Sequence, residues 1–130
     1  MANDHSSFSE TRFACLDFET TGFSPRSNRV VEVATVIVEN GAIGESWTTL
    51  VNPGDDHELG ASHIHGIQRE WLNNAPSFNE IAGDLYKRLD QSVIVAHNAN
   101  FDLRFLRAEM ERSDFLPNAD NPITLPPSKK

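Results

Sequence analysis

Two acidic residues stand close together near the start of the chain. Asp17 and Glu19 are two positions apart in a run rich in apolar residues that predicts a β-strand. Residues two apart on a strand point to the same face, so both carboxylates are expected side by side just before Gly22. A hard cation such as Mg²⁺ or Mn²⁺ would relieve their mutual repulsion, because it prefers carboxylate oxygens. A solvated acidic pair at a strand end is the alternative reading of this motif alone.

A third acidic residue, Asp102, lies far away in the sequence but in a similar setting. It follows the apolar residues 93–96 and falls in the first turn of a predicted helix. If strand 93–96 runs parallel to the strand with Asp17, both motifs reach the same carboxyl-end edge of the sheet, where ligand crevices form. Asp102 alone could instead complement the helix dipole. Two carboxylate motifs at one edge favour a metal site.

The apolar pattern predicts a strand–strand–strand–helix–strand–helix order. Asn40-Gly41 predicts a tight hairpin after a β-branched run, and Ser77 with Glu80 has the capping-box pattern of a helix start. Residues 93–96, apolar throughout, predict a buried inner strand. The predicted strands are 12–19, 30–38, 46–51 and 93–96, and the predicted helices begin near Ser77 and near Asn98 or Asn100. This order predicts an α/β domain with helices packed on a mixed sheet.

Composition limits the remaining possibilities. The 130 residues carry a formal net charge of −8, which is unfavourable for a protein that coats nucleic acid but compatible with a metal-dependent enzyme. A single cysteine, Cys15, excludes an internal disulfide and favours a cytoplasmic setting. No apolar run is long enough to predict a membrane span. We expect a flexible segment over 1–10, one domain over 11–116, and a proline-rich tail over 117–130, with residues 55–76 irregular.

Two longer motifs resemble those of a known family. Residues 16–22 read Leu-Asp-Phe-Glu-Thr-Thr-Gly, and residues 95–102 read Val-Ala-His-Asn-Ala-Asn-Phe-Asp. They resemble the first and second exonuclease motifs of the DEDD superfamily, which contains the proofreading epsilon subunit of bacterial DNA polymerase III. Segments 30–34, 52–53, 65–67 and 75–78 are also similar, so the resemblance covers roughly residues 12–112 in the right order.

The resemblance implies a ribonuclease-H-like fold and two-metal hydrolysis of phosphodiester bonds at the 3′ ends of DNA or RNA. It implies that Asp17, Glu19 and Asp102 are catalytic and bind two Mg²⁺ or Mn²⁺ ions. Aromatic side chains would pack on the terminal nucleotide, and backbone groups near the glycine would contact it. The implied substrate-binding residues are Thr20, Thr21, Gly22, Phe23, His65, His97 and Phe101.

The family's third motif supplies a histidine or tyrosine base and a final aspartate, and this part of the pattern does not match. No histidine or tyrosine follows Asp102, and neither Asp114 nor Asp120 stands in a family-like context. The sequence therefore predicts a partial domain, incomplete at its C-terminal end. Three hypotheses follow: a truncated exonuclease with little activity, an active domain completed by a polymerase or a second copy, and a non-catalytic nucleotide-end or protein-binding module.

Overall fold

The order of secondary structure matches the predicted one apart from one additional short helix in the segment expected to be irregular. The computed structural model describes residues 10–54, 66–113 and 115. Their elements are β1 (Phe13–Thr20), β2 (Val30–Glu39), β3 (Ala42–Leu50), α1 (Arg69–Leu72), α2 (Phe78–Leu89), β4 (Val93–Val95) and α3 (Ala99–Arg112). The strands form one four-stranded sheet in the order β3-β2-β1-β4. Since β1 is antiparallel to β2 and parallel to β4, the predicted mixed α/β sheet is confirmed.

The first three strands form the predicted meander. Asn40 and Gly41 both have positive φ, 55° and 75°, as a two-residue hairpin turn requires. β3 begins at Ala42, four residues earlier than the sequence suggests, because Glu39 already pairs with Ala42 across the turn. The polar residues Gly44 and Glu45 hide this start in the sequence, although backbone pairing continues through them.

The short strand β4 lies beside β1 but is not the buried inner strand that its composition predicts. Val93 pairs with Phe13 and Val95 with Cys15, in parallel. In the described sheet β4 is an edge strand, and Val93 and Val95 are 52% and 43% exposed. The prediction of burial was wrong because an apolar run gives no information on how many neighbours a strand has.

The helices cover one face of the sheet and build the main core there. Along β1, Ala14, Leu16 and Phe18 alternate toward that face and are buried. The helical side chains in the same core cluster are Phe78, Ile81, Ala82, Leu85 and Leu89 from α2 and Leu103, Phe105 and Leu106 from α3. The predicted capping box opens α2: the Ser77 Oγ accepts the Glu80 N–H at 3.3 Å, and the Ser77 N–H donates to Glu80 Oε1 at 2.9 Å.

The segment expected to be irregular contains one turn of helix, α1. Its Leu72 and the preceding Ile67 pack with Val31 in a second, smaller apolar cluster. The predictions for residues 1–9, 55–65 and 116–130, including those for the two ends of the chain, lie outside the described residues. Within the described parts, none of the helices has the length and apolar character that crossing a membrane requires.

Candidate functional site

The first two acidic residues lie at the carboxyl end of β1. Asp17 is exposed and Glu19 is half-buried, while Leu16 and Phe18 between and beside them are buried in the core on the other side. The strand pairing with β2 shifts between Glu19 and Thr20. Such bulges are common next to active sites, where they redirect the chain. The acidic pair therefore stands where the strand stops being regular and the following loop begins.

Asp102 reaches the same edge from α3, as the sequence predicts. It is only 3% exposed, and its Oδ1 accepts the backbone N–H of Phe18 at 3.2 Å. The pairing of β4 with β1 ends at Cys15 and Val95, three residues before Phe18 on β1. The Asp102 carboxylate thus satisfies a strand N–H beyond the point where β4 has ended. One hydrogen bond joins the two sequence motifs.

The helix that carries Asp102 begins at Ala99, and Asn98 is its N-cap residue. The side chain of Asn98 makes no capping hydrogen bond, although its carbonyl oxygen accepts the Asp102 N–H at 3.0 Å. The helix start predicted near Asn98 is confirmed, but without a capping hydrogen bond from its side chain. The backbone bond fixes the first turn of α3, which keeps Asp102 directed at β1.

The three carboxylates are close enough for Asp17 and Glu19 to affect the pKa of Asp102. Burial raises the pKa of Asp102 from 3.8 to about 6, against the opposing effect of the Phe18 N–H. The charges of Asp17 and Glu19 contribute to the same rise, and the charge of His97, like the Phe18 N–H, acts against it. Repulsion between carboxylates is the expected consequence of gathering them at one edge without a cation. Asp102 therefore holds its proton more tightly than an ordinary aspartate.

The donor chemistry of this trio fits a hard divalent cation, since all three side chains offer carboxylate oxygens in mutual repulsion. Within residues 10–54, 66–113 and 115, however, no three His, Cys, Asp or Glu side chains stand in an arrangement that could hold a metal ion as they are placed. Asp102 directs one oxygen at Phe18, and Asp17 extends toward solvent. The structure therefore has the carboxylates at one edge but not a preformed metal cage.

The loop after Glu19 is closed by its own hydrogen bonds. The Thr20 hydroxyl donates to the Gly22 carbonyl oxygen at 2.6 Å, and the Thr21 N–H donates to the Arg29 carbonyl oxygen at 2.9 Å. The Arg29 N–H in turn donates to Thr21 Oγ1 at 3.0 Å. The Thr21 N–H is therefore used within the loop, so the predicted backbone contacts to a nucleotide must come from other groups of this segment.

Gly22 is required by close packing within the loop. A Cβ atom added to Gly22 would lie 2.6–2.8 Å from the side chain of Asn28. That side chain is held in place, because Asn28 Oδ1 accepts the Ser24 N–H at 3.0 Å. The close approach of a nucleotide to this glycine stays a prediction, and the structure adds a neighbour within the loop itself. The absence of a side chain at Gly22 lets the loop fold back on Asn28.

Two aromatic residues stand together beside this loop. Phe23 is 79% exposed, and its ring centroid lies 6.5 Å from that of Phe101 in an edge-to-face arrangement. Phe101 also packs on Phe105, with centroids 4.9 Å apart. An exposed phenylalanine supported from below is suited to contact a planar ligand. His97 is exposed at the same edge, and His65 lies outside the described residues.

A buried ion pair that sequence reading did not find fixes this loop to α3. The Glu109 carboxylate is fully buried and accepts the Arg29 Nη2–H at 2.8 Å and the Val30 N–H at 2.8 Å. Glu109 lies seven residues after Asp102 on the same buried face of the helix. A charged residue on the apolar side of a predicted helix was the available signal. The ion pair fixes the C-terminal end of the loop, at Arg29 and Val30, to the helix that carries Asp102.

Comparison with known proteins gives close sequence relatives. The chain is 41% identical over 105 residues to a PolC-type DNA polymerase III of Thermotoga maritima, and 33% identical over 111 residues to the 3′-5′ exonuclease DinG of Bacillus subtilis. It is 38% identical over 104 residues to the DNA polymerase III subunit epsilon of Rickettsia felis. These matches cover 81%, 84% and 78% of the chain but 8%, 12% and 45% of the relatives. The chain thus spans less than half the length of each.

Solved structures confirm the fold. The zinc-ion-bound form of the E. coli exonuclease I complex with single-stranded DNA superimposes with a TM-score of 0.70 at 23% identity. The match covers 79% of this chain and 24% of that one. The ribonuclease-H-like fold that the sequence resemblance implied is therefore confirmed.

The family itself is shown by the sequence. Residues 14–124 match the model of the exonuclease family RNase_T. This match includes both carboxylate motifs and the loop and helix that position them. The expected relationship to the proofreading epsilon subunit is confirmed by the epsilon relatives. The chain belongs to the RNase_T family of exonucleases.

Proposed function

We propose that this chain is a 3′-to-5′ exonuclease domain that hydrolyses phosphodiester bonds at the 3′ ends of nucleic acids. The hydrogen bond between Asp102 Oδ1 and the Phe18 N–H carries the proposal, because it brings the carboxylate of one motif to the strand of the other. Family membership and a relative named as a 3′-5′ exonuclease support this direction of digestion.

We propose Asp17, Glu19 and Asp102 as the ligands of two Mg²⁺ or Mn²⁺ ions. Bound cations would activate the attacking water and neutralise charge on the leaving 3′ oxygen. The raised pKa of Asp102 supports this assignment, since a cation removes the repulsion from Asp17 and Glu19. The side chain of Asp17 must turn toward Asp102 before the three carboxylates can share a cation. Asp17 is exposed and does not pack in the core, so this rotation is open to it.

The terminal nucleotide is proposed to lie against Phe23 and Phe101. Phe23 offers an exposed ring, and its contact with Phe101 keeps that ring near the start of α3. Stacking on aromatic rings tolerates any base, as an exonuclease needs. Groups of Thr20, Gly22 and exposed His97 flank the same edge and complete the proposed nucleotide contacts. A polymerase partner is supported only by the names of two relatives.

The test is digestion of a 5′-labelled single strand of DNA, and separately of RNA, in Mg²⁺ or Mn²⁺. The wild-type chain should give a ladder of products shortened from the 3′ end, at a low rate because no histidine or tyrosine base follows Asp102, and EDTA should abolish it. Asp17→Asn and Asp102→Asn should lose about 100-fold or more of the activity, as expected when a charged group of a metal site is neutralised.

Asp84→Asn is the matched control, because Asp84 is an exposed acidic residue on α2. It should digest the strand as wild type does. A chain that folds by circular dichroism, binds a nucleoside monophosphate in Mg²⁺ and shortens neither strand would contradict the proposal. That result would favour the non-catalytic nucleotide-end module instead.

A further inference from the structure

An open groove lies between the loop after Phe23 and the outer side of α3. Its volume is about 420 Å³. The loop contributes Ser24, Pro25 and Arg26, and the helix contributes Arg104, Arg107 and Glu111. On the helix the three residues are three and seven positions apart, so they follow one line along its surface.

The groove concentrates positive charge in a protein that is acidic as a whole. Three arginines and one acidic residue, Glu111, are among its lining residues, whereas the chain carries a formal net charge of −8. Arg26 and Arg104 are exposed, so their guanidinium groups are accessible to a ligand in solution. Arginine is the side chain best shaped to pair with phosphate, through two parallel N–H donors.

The position of the groove connects it to the candidate site. Phe23 directly precedes its loop wall, and Phe101 lies one helical turn before Arg104 on its helix wall. These two rings therefore stand at the start of both groove walls, close in the chain to the end of β1 and to Asp102 in the first turn of α3.

The two walls are tied together by side chains that lie outside the lining. The Arg112 Nη1–H donates to the Pro25 carbonyl oxygen at 2.9 Å, and the Arg29–Glu109 ion pair fixes the other end of the loop. Both of these ties lie toward the C-terminal end of α3, whereas the contact of Phe23 with Phe101 joins the loop to its N-terminal end. A ligand entering the groove meets walls whose separation is already set, which lowers the entropic cost of binding.

We propose that this groove binds the phosphodiester backbone of the nucleotides that precede the 3′ end. The inference rests on the proposed function, because a strand whose last base lies against Phe23 must leave the site past the neighbouring loop. Arg26, Arg104 and Arg107 would contact backbone phosphates without reading the bases, as exonuclease digestion of any sequence requires. Glu111 would oppose the same phosphates. Free phosphate could also pair with these arginines, but the position of the groove next to Phe23 and Phe101 favours a nucleic-acid strand.

The experiment separates the groove from the chemistry by substrate length. One substrate is the p-nitrophenyl ester of thymidine 5′-monophosphate, which has a single nucleotide and does not reach the groove. The other is a 5′-labelled thymidine oligonucleotide, whose Kd is also measured by fluorescence anisotropy over a range of salt concentrations. The variants are Arg104→Ala, the double variant Arg104→Ala with Arg107→Ala, and Glu111→Gln. Lys87→Ala on α2 is the control that removes the same single charge as Arg104→Ala.

The double variant should raise the oligonucleotide Kd and KM about tenfold and reduce the slope of log Kd against log salt by about one to two. Glu111→Gln should lower the oligonucleotide Kd. All three groove variants should hydrolyse the single-nucleotide ester at the wild-type rate. Lys87→Ala should leave the oligonucleotide Kd within about twofold of the wild-type value, as expected for a residue outside the groove lining.

Unchanged oligonucleotide binding in both arginine variants would overturn the groove assignment while leaving the proposed function intact. An equal loss in Lys87→Ala would also overturn it, because the effect would then be one of net charge. If the wild type hydrolyses neither substrate, the proposed function fails, and the anisotropy measurement still decides the groove. If the double variant folds poorly, the single variant Arg104→Ala still tests the groove, because Arg104 is exposed.

Discussion

At the scale of single residues, Asp102 gives the candidate site its pH dependence. Burial raises the pKa of Asp102 to about 6, so the folded chain binds this proton more tightly than the unfolded chain. Ionising Asp102 therefore lowers the free energy of unfolding. This loss is absent well below the ordinary aspartate pKa, grows between that value and about pH 6, and is complete above pH 6. Without metal, Asp102 therefore destabilises the fold at neutral and alkaline pH.

Asp102→Asn should remove that cost while keeping the acceptor for the Phe18 N–H. In EDTA, we expect Asp102→Asn to unfold at nearly the same urea concentration as wild type near about pH 3 and at a higher one near about pH 8. Asp84→Asn, on an exposed position of α2, should show no such divergence. A difference between Asp102→Asn and wild type that does not change with pH would contradict the raised pKa.

Gly22 supports a second prediction, on packing. Gly22→Ala brings a Cβ atom against the Asn28 side chain, which must then shift and lose its hydrogen bond from the Ser24 N–H. We expect a loss of about 0.5–1.5 kcal/mol in the free energy of unfolding, together with lower nuclease activity. Adding Asn28→Ala should restore part of both. Gly44→Ala is the control, since its Cβ would lie 3.4 Å from the Ile37 carbonyl oxygen. Equal effects of Gly22→Ala and Gly44→Ala would show that the loop is not tightly packed.

The acidic residues could be placed from the sequence, whereas the loop that flanks them could not. Asp17 and Glu19 share a face by strand periodicity, and the parallel pairing of β4 with β1 brings Asp102 to their edge. The partner of Gly22 depends on how residues 23–28 fold back, and no periodic pattern governs that path. The same limit explains why Phe23 and Phe101 could be proposed as ligand contacts but not as a touching pair.

At the scale of elements, the buried Glu109 joins β2, the loop before it and α3. It is charged and fully buried, with Arg29, Arg112 and the Val30 N–H as partners. Removing it leaves Arg29 without its main counter-charge and a strand N–H without an acceptor. We expect Glu109→Ala to lower the free energy of unfolding by about 3–5 kcal/mol, measured by urea denaturation.

The control for Glu109 is an exposed ion pair on another part of the surface. Glu45 contacts Arg88 at 3.4 Å, and Glu45→Ala should cost less than about 1 kcal/mol. Similar losses in the two variants would mean that the buried pair contributes no more than a surface one. The sequence could not reveal this anchor because its partners are about eighty residues apart and only the fold brings them together.

Element boundaries were predictable where turn chemistry is local. Asn40-Gly41 gave the hairpin, and Ser77 with Glu80 gave the start of α2, because both signals act within a few residues. The burial of β4 was predicted wrongly, since burial depends on neighbours that a three-residue strand does not specify.

At the scale of the whole molecule, the acidic net charge and the carboxylate site must be distinguished. Any salt screens a net charge of −8 and can stabilise the chain without binding at one place. A specific site adds stability by mass action at low concentrations of the bound ion. We therefore expect millimolar MgCl₂ or MnCl₂ to raise the Tm more than NaCl of equal ionic strength.

Asp17→Asn should abolish this difference, because exposed Asp17 belongs to the proposed metal site but makes little contribution to the core. Asp84→Asn should keep it. Equal stabilisation by divalent and monovalent salts in the wild type would indicate general screening only, and would count against a metal site at Asp17, Glu19 and Asp102.

The hydrogen bond from the Phe18 N–H to Asp102 has a consequence for spectroscopy. The proton of that amide points at the carboxylate whose pKa is raised, so its NMR chemical shift senses the charge on Asp102 directly. One backbone resonance near the carboxyl end of β1 thus acts as a built-in indicator of the ionisation of Asp102. Its titration midpoint should lie near pH 6 in EDTA and move to lower pH when a divalent cation binds.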